Sequence, residues 1–442
     1  MFGGEAMSEK ELNTKNRITQ NAMWIIGSKI VQSLLSLVIH MLTARYLGPS
    51  SYGLITYAAS LIAFVMPIMQ LGFSNVLVCE IVNEPEAEGK ILGTTMLMSF
   101  VSGIFCIIGL ISFVYAVSPN EKETILVCLC YSVILLIQAF EHILYWYQAK
   151  LLSKYTSVIS LLAYVVIAGY KIFLLATSKS IYWFAISNAL DSAIIVIASI
   201  VVYKKLGGKK LEFSWTIGKQ VLSRSHYYIL SSMMAMVFGQ TDKIMIKMMI
   251  SETATGYYGV AVTCVGLTGF VFTAIIDSFR PSILEVQNEN EAIFKFRLTM
   301  LYSIVIYLSL AQSVLMTIFA KWIIYILYGE AYSPAISTLQ ILVWYTAFSY
   351  IGTVRNVWIL AKGKQRYLWI INMCGAVANV VLNFLLIPTL GINGAAIASL
   401  FTQIFTNVIV GYIVKPIRPN NKIMVSALNP KYLMLALNKL IK

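Results

Sequence analysis

The sequence predicts an all-α fold, a polytopic membrane protein with about twelve transmembrane helices. Three observations carry that expectation. Hydrophobic residues make up 59% of the 442 and charged residues only 12%, with a mean hydropathy of +0.77, whereas a soluble domain is about 45–50% apolar and about 25% charged. The apolar windows are span-length, and twelve spans of about 20 residues each use more than half the chain, leaving short connections and no room for a sizeable soluble domain. Turn-forming clusters punctuate the windows at Gly48-Pro49-Ser50-Ser51, Ser118-Pro119-Asn120, Gly207-Gly208-Lys209-Lys210 and Gly391-Ile392-Asn393-Gly394.

Taken in order, the spans fall at roughly 22 to 44, 53 to 78, 91 to 117, 125 to 147, 156 to 177, 181 to 203, 226 to 250, 256 to 284, 298 to 320, 335 to 361, 367 to 388 and 393 to 414. A polar head from Ser8 to Arg17 precedes the first apolar run, which is of full span length and has no small-residue cleavage site after it. The first span is therefore expected to be a retained helix. With the N-terminus inside, Lys and Arg favour the inside connections by more than three to one, which places both termini in the cytoplasm. One connection departs from the pattern: Glu80, Glu84, Glu86 and Glu88 outnumber Lys90 between the second and third spans. Acidic residues count little in that rule.

The most basic connection, Lys204 to Arg224, lies midway along the chain. It divides the sequence into a cytoplasmic N-terminal segment (1–21), a six-helix bundle (22–203), a basic cytoplasmic linker (204–225), a second six-helix bundle (226–415) and a cytoplasmic tail (416–442). Ser51-Tyr52-Gly53-Leu54 resembles Tyr257-Tyr258-Gly259-Val260, each opening the second helix of its half, as expected of parallel repeats. The tail combines Leu433, Leu437 and Leu440 with Lys431, Lys439 and Lys442 and reads as an interfacial helix.

A net charge of +14 in a membrane protein is explained by cytoplasmic loops and anionic headgroups, without nucleic acid. The six cysteines lie within or beside apolar segments and form no Cys/His cluster at metal-ligand spacing, so neither metal nor cofactor is expected. No GxxxxGK[ST] signature for nucleotide hydrolysis is present, and Gly207-Gly208-Lys209 is a basic loop.

Three stretches carry a family resemblance: Ala44-Arg45-Tyr46-Leu47-Gly48-Pro49 with Tyr52-Gly53, then Gln240-Thr241-Asp242-Lys243 with Gly256-Tyr257-Tyr258, and Asn379 to Ala398 (NVVLNFLLIPTLGINGAAIA). Together they resemble the polysaccharide flippases, the Wzx-type O-antigen and capsule branch of the multidrug/oligosaccharidyl-lipid/polysaccharide exporter superfamily. The likeness extends to about Lys415. It implies two six-helix bundles around a central cavity, and translocation of undecaprenyl-pyrophosphate-linked oligosaccharide across the bacterial inner membrane. Partners implied are the lipid-linked substrate, membrane lipids, and the polysaccharide polymerase and chain-length machinery. Some superfamily members carry several arginines in the first helix; here that helix has Lys29 and His40.

Ionisable groups within spans are costly in hydrocarbon, so each is a functional candidate. Lys29 and His40 share a face of the first span at about 100° per residue. Lys29 either lines a cavity or snorkels to the interface, and His40 is either a cavity group or a satisfied buried histidine. Arg280 follows Asp277 at i,i+3, where the two either close on each other or contribute to a site. Arg355 is separated from Lys362 by further apolar turns. Lys29, Arg280 and Arg355 would form a cytoplasmic-side cationic cluster suited to a pyrophosphate, because guanidinium groups bind phosphate oxygens as a fork and ammonium acts as a point charge. Lys243 and Lys247, one turn apart beside Asp242, are either a second cationic station near the exit or an interfacial pair. Asp191 lies mid-span within roughly 7.5 Å of Lys171 by hairpin register, as a buried pair or a cation-coupling carboxylate.

Two alternatives stand beside the flippase reading. A drug or cation antiporter of the same fold takes a small, often cationic substrate, and a net-positive cavity argues against it. A membrane polysaccharide polymerase or ligase needs catalytic groups presented outside the bilayer, and the outside connections are only a few residues long.

Overall fold

The computed structural model describes residues 9–287 and 290–440, with the side chains of most residues before Val31, of Leu34 and of residues from 436 onward lying outside that description. Among the described residues the regular structure is entirely helical. In hydrocarbon each backbone N–H and C=O must find its partner within the protein, which a helix achieves inside its own segment.

α1 (Glu9–Met69) holds the first two spans and breaks at Gly48, whose φ of 73° favours glycine. α2 (Leu77–Asn83) leads to the third span, α3 (Glu88–Val117). The fourth span joins α4 (Lys122–Gln138) to α5 (Ile143–Ala149) through a 3-10 turn, and α6 (Ser153–Ala176) and α7 (Ile181–Lys205) follow. α8 (Trp215–Met249) is the seventh, α9 (Glu252–Gly266) with α10 (Gly269–Glu285) the eighth, α11 (Glu291–Leu327) the ninth and α12 (Ala335–Ala361) the tenth. α13 (Arg366–Ile404) reverses at Gly391 (φ 60°, ψ −140°), so it holds the eleventh span and most of the twelfth. A π-turn at Phe405–Ile409 and α14 (Val410–Ile413) finish the twelfth, before α15 (Arg418–Ser426) and α16 (Pro430–Leu440). Among the described residues, eight segments are long and apolar enough to cross a membrane. The segments broken at Gly48 and Gly391 each hold two spans, and the less apolar α8 and α12 supply the remainder of the twelve-helix plan.

The chain packs as two compact units, the described residues up to Thr43 with Leu61–Met233, and Ala44–Ser60 with Met234 onward. The core of the first unit gathers Phe73, Leu92, Trp146, Tyr147, Tyr203 and Val221. Trp146 stands edge-on to Tyr147 and Tyr203, with centroids 5.1 and 4.9 Å away, an arrangement that aligns ring edges with ring faces. Val221 explains why α8 begins at Trp215, inside the segment expected to be linker: its first turns bury an apolar stripe on this core.

The acidic connection that departs from the charge pattern is paired with basic residues of this same unit. Arg224 meets Glu80 at 2.7 Å, Lys209 meets Glu86 at 2.5 Å, Lys150 meets Glu88 at 3.0 Å, and Gln220 donates to Glu84 at 3.2 Å. Lys209 holds Glu86 below the usual carboxylate range by hydrogen bond and charge.

In the second unit, Ala44–Ser60 packs on α9 through backbone. A Cβ at Gly53 would lie 1.8 Å from the Glu252 carbonyl oxygen, and one at Gly259 would lie 2.8 Å from Thr56. The two similar motifs, Tyr52-Gly53 and Tyr258-Gly259, are thus neighbours in space. Tyr332 stands edge-on to both Tyr52 and Tyr257 and donates its hydroxyl to the Ala44 carbonyl at 2.8 Å. The tail is built into this unit: Tyr302 donates to Asn420 at 2.9 Å, and Asn421 donates to the Val408 carbonyl at 2.8 Å. Within α16, Lys431 and Leu433 are described, whereas the side chains of Leu437, Lys439 and Leu440, and Lys442 altogether, lie outside the described residues.

Candidate functional site

Arg355 sits on α12 at 4% exposure, in a helix otherwise without charge. Its Nη1 donates to the Thr406 carbonyl at 2.7 Å and its Nη2 to Asn356 Oδ1 at 3.3 Å, while Nε is buried with no partner. Thr406 belongs to the π-turn, a helix irregularity found often at functional sites. Gly352, one turn before Arg355, admits that turn: a Cβ there would meet Asn407 Oδ1 at 2.4 Å. Among the described residues no carboxylate pairs with this guanidinium. A buried cation with unused N–H capacity is chemically a receptor for an anion, because charge-assisted bonds to phosphate or carboxylate oxygens offset its desolvation.

Asp242 on α8 is a second buried charge of the second unit, and it is fully engaged. Asn379 and Asn383 donate to Oδ1 at 3.0 and 2.7 Å, and Tyr258 donates to Oδ2 at 2.5 Å, joined there by the Ser399 hydroxyl. The reversal at Gly391 makes this possible by folding Ser399 back beside Asn379, 3.4 Å away. Asn383 Oδ1 remains buried and unpartnered, so the cluster holds one spare acceptor.

The remaining candidates each have their own surroundings. Lys243 donates to Gln240 at 3.0 Å and Lys247 pairs with Glu252 at 3.3 Å, so each of the two has its own partner. Arg280 closes on Asp277 at 3.0 Å, both about half exposed, in the i,i+3 surface pair. Arg280 and Arg355 share no partner among the described residues. The side chain of Lys29 lies outside the described residues, and His40 occupies an exposed position in α1. Lys171 donates to Asn188 at 3.2 Å, and no direct ion pair joins it to Asp191 among the described residues. Asp191 Oδ1 is buried without a partner. Lys171 and Asp191 thus act on one another by charge without a direct ion pair, the ammonium resting on Asn188 one turn earlier on α7.

The partners of Asp242 went unread in the sequence. Asn379 and Asn383 stand at i,i+4 inside an apolar helix, which places both amides on one face and marks it as polar in hydrocarbon. That spacing was the available signal.

The fold is shared with solved transporters. The structure titled lipid II flippase MurJ, inward closed conformation, matches with a TM-score of 0.70 at 16% identity, covering 92% of this chain and 91% of that one. An inward-facing multidrug resistance MATE family transporter of the MOP superfamily matches with a TM-score of 0.69 at 15% identity, covering 90% and 95%. An uncharacterized membrane protein of Methanocaldococcus jannaschii is 27% identical over 271 residues, 59% of this chain, and the chain spans about half the length of that curated relative, 53%. The family model described as polysaccharide biosynthesis protein matches residues 18–287, more than half of the sequence, and the chain belongs to that family.

Proposed function

We propose that this protein translocates undecaprenyl-pyrophosphate-linked oligosaccharide repeat units across the bacterial inner membrane, with both termini cytoplasmic, supplying a polysaccharide polymerase and its chain-length machinery. The observation that carries the reading is Arg355, a buried guanidinium with an unused N–H and no carboxylate partner among the described residues. Such a charge is costly in a membrane unless an anion visits it, and a pyrophosphate supplies that anion. Membership of the polysaccharide biosynthesis family supports the cargo class. An apolar groove of about 660 Å³ in the first unit, flanked by Val65, Leu97, Val101 and Phe105, is of a chemistry that suits a polyprenyl chain. Asp242 serves as the coupling carboxylate in this reading, its donors exchanging when a proton or cation arrives.

The test is glycan export in a strain lacking its own flippase, with protein level checked by blot. Arg355→Ala is expected to slow export by roughly tenfold or more, since each charge-assisted bond contributes about 1.5–3 kcal/mol. Arg355→Lys should retain part of the activity, keeping charge without the fork. Normal export by Arg355→Ala at normal abundance overturns the reading. A cation antiporter is favoured by one observation, the unpartnered buried Oδ1 of Asp191. Drug efflux lost in Asp191→Asn with glycan export untouched would select it.

A further inference from the structure

The tail encloses a second basic site, one that uses none of the residues above. Between α11 and the α15–α16 tail lies a cavity of about 770 Å³, lined by Lys295, Lys415, Arg418 and Lys422, with Phe296 and Tyr432 among its apolar walls. Among the described residues no carboxylate lines it. Lys295 and Phe296 are neighbours on the first turns of α11, and Arg418 and Lys422 stand at i,i+4 on α15, where like charges repel. Arg418 gives Nε and Nη2 to the Tyr412 carbonyl at 3.1 and 2.9 Å, and Lys295 has a long contact with Glu291 at 3.5 Å. Those bonds fix the two side chains but leave most of the local positive charge uncompensated. The walls are held in place by the buried bonds of Asn420 and Asn421, and the Tyr432 ring packs on Phe296 with centroids 6.3 Å apart. The cavity is therefore built by the fold and is not a chance gathering of flexible lysines.

We propose that this cavity binds the phosphate headgroup of an anionic phospholipid, with Lys295, Lys415, Arg418 and Lys422 around the phosphate and the acyl chains running along the apolar surface of α11. Basic pockets beside membrane helices recognise such headgroups by charge, and α11 continues from Lys295 into an apolar span that exposes Leu310 and Val314 on the face that lines the cavity, at about 100° per residue. A soluble phosphate would satisfy the same cations but would leave the aromatic wall and this flank unused.

The probe is native mass spectrometry of the detergent-solubilised full chain, titrated separately with phosphatidylglycerol and phosphatidylcholine. The expected result is phosphatidylglycerol adducts that weaken roughly tenfold or more in Lys415→Gln/Lys422→Gln, as the contribution of surface lysines to anionic lipid binding implies, with phosphatidylcholine adducts unchanged. The variant spares Arg418 and its bonds to Tyr412, and Lys122→Gln serves as a control at an exposed lysine of the other unit. Inorganic pyrophosphate at millimolar concentration should not displace the lipid. Equal phosphatidylglycerol binding by the double variant and the parent protein overturns the site. Displacement of the lipid by pyrophosphate overturns the assignment to lipid in favour of a soluble phosphate.

Discussion

Gly53 and Gly256 lie backbone to backbone: a Cβ at Gly53 would fall 1.8 Å from the Glu252 carbonyl oxygen, and one at Gly256 would fall 2.0 Å from that of Pro49. Neither obstacle is the movable end of a side chain. Gly53→Ala and Gly256→Ala are therefore expected to destabilise the protein by about 1–3 kcal/mol, the usual range for overpacking. Gly169→Ala, with open space around it, should be neutral or slightly stabilising because alanine favours helix. Thermal denaturation of the detergent-solubilised variants separates these outcomes, and equal midpoints for all three would contradict the contact.

Asp242→Asn replaces an acceptor of four bonds by an amide that brings two donors of its own. The change should cost about 1.5–3 kcal/mol for each charge-assisted bond lost, and more than Asn379→Ala, which removes a single bond to the carboxylate. Denaturation midpoints of the two variants provide the comparison. A larger loss for Asn379→Ala would mean that the carboxylate is not the centre of the cluster.

Lys171 offers a double-mutant cycle. With its ammonium on Asn188 at 3.2 Å, Lys171→Met combined with Asn188→Leu should show a coupling energy of about 0.5–3 kcal/mol. The same cycle with Asp191→Asn should show less. Stronger coupling to Asp191 would restore the direct ion pair expected from helix register.

The charge distribution predicts opposite faces for two connections. Single cysteines placed at Lys209 and at Pro119 are expected to label from inside and outside the cell respectively. Labelling of position 209 by an impermeant reagent in intact cells would invert the topology.

Helix number was legible because each span needs about 20 apolar residues, and the breaks at Gly48 and Gly391 were legible as glycine-containing turns. The start of α8 was not, because Trp215 to Leu222 is amphipathic and only the packing of Val221 reveals it as helix. Among the site residues, Arg355 stood out as a lone cation in an apolar helix, and the structure buries it. Arg280 has Asp277 as a partner at i,i+3, and its grouping with Arg355 turns on rotation about each helix axis, which side-chain packing sets and local sequence does not carry. The Asp242 cluster joins α8, α9 and both halves of α13. Proximity over such separations is a property of the folded helix pair, and local pattern carries only the asparagine spacing.

The pairing of Glu80 with Arg224 has a consequence for synthesis on the ribosome. Chains fold as they emerge, N-terminal domains first, and the acidic connection leaves the ribosome well before Lys209, Gln220 and Arg224. Until those residues arrive, Glu80 cannot take its buried place without stranding an uncompensated charge. The first six helices should therefore remain ajar after the sixth is made, and close only when translation has passed the start of the seventh. A nascent chain arrested at Tyr203 should be protease-sensitive at the connection after α2, and one arrested beyond α9, with Arg224 clear of the ribosome, should be protected there.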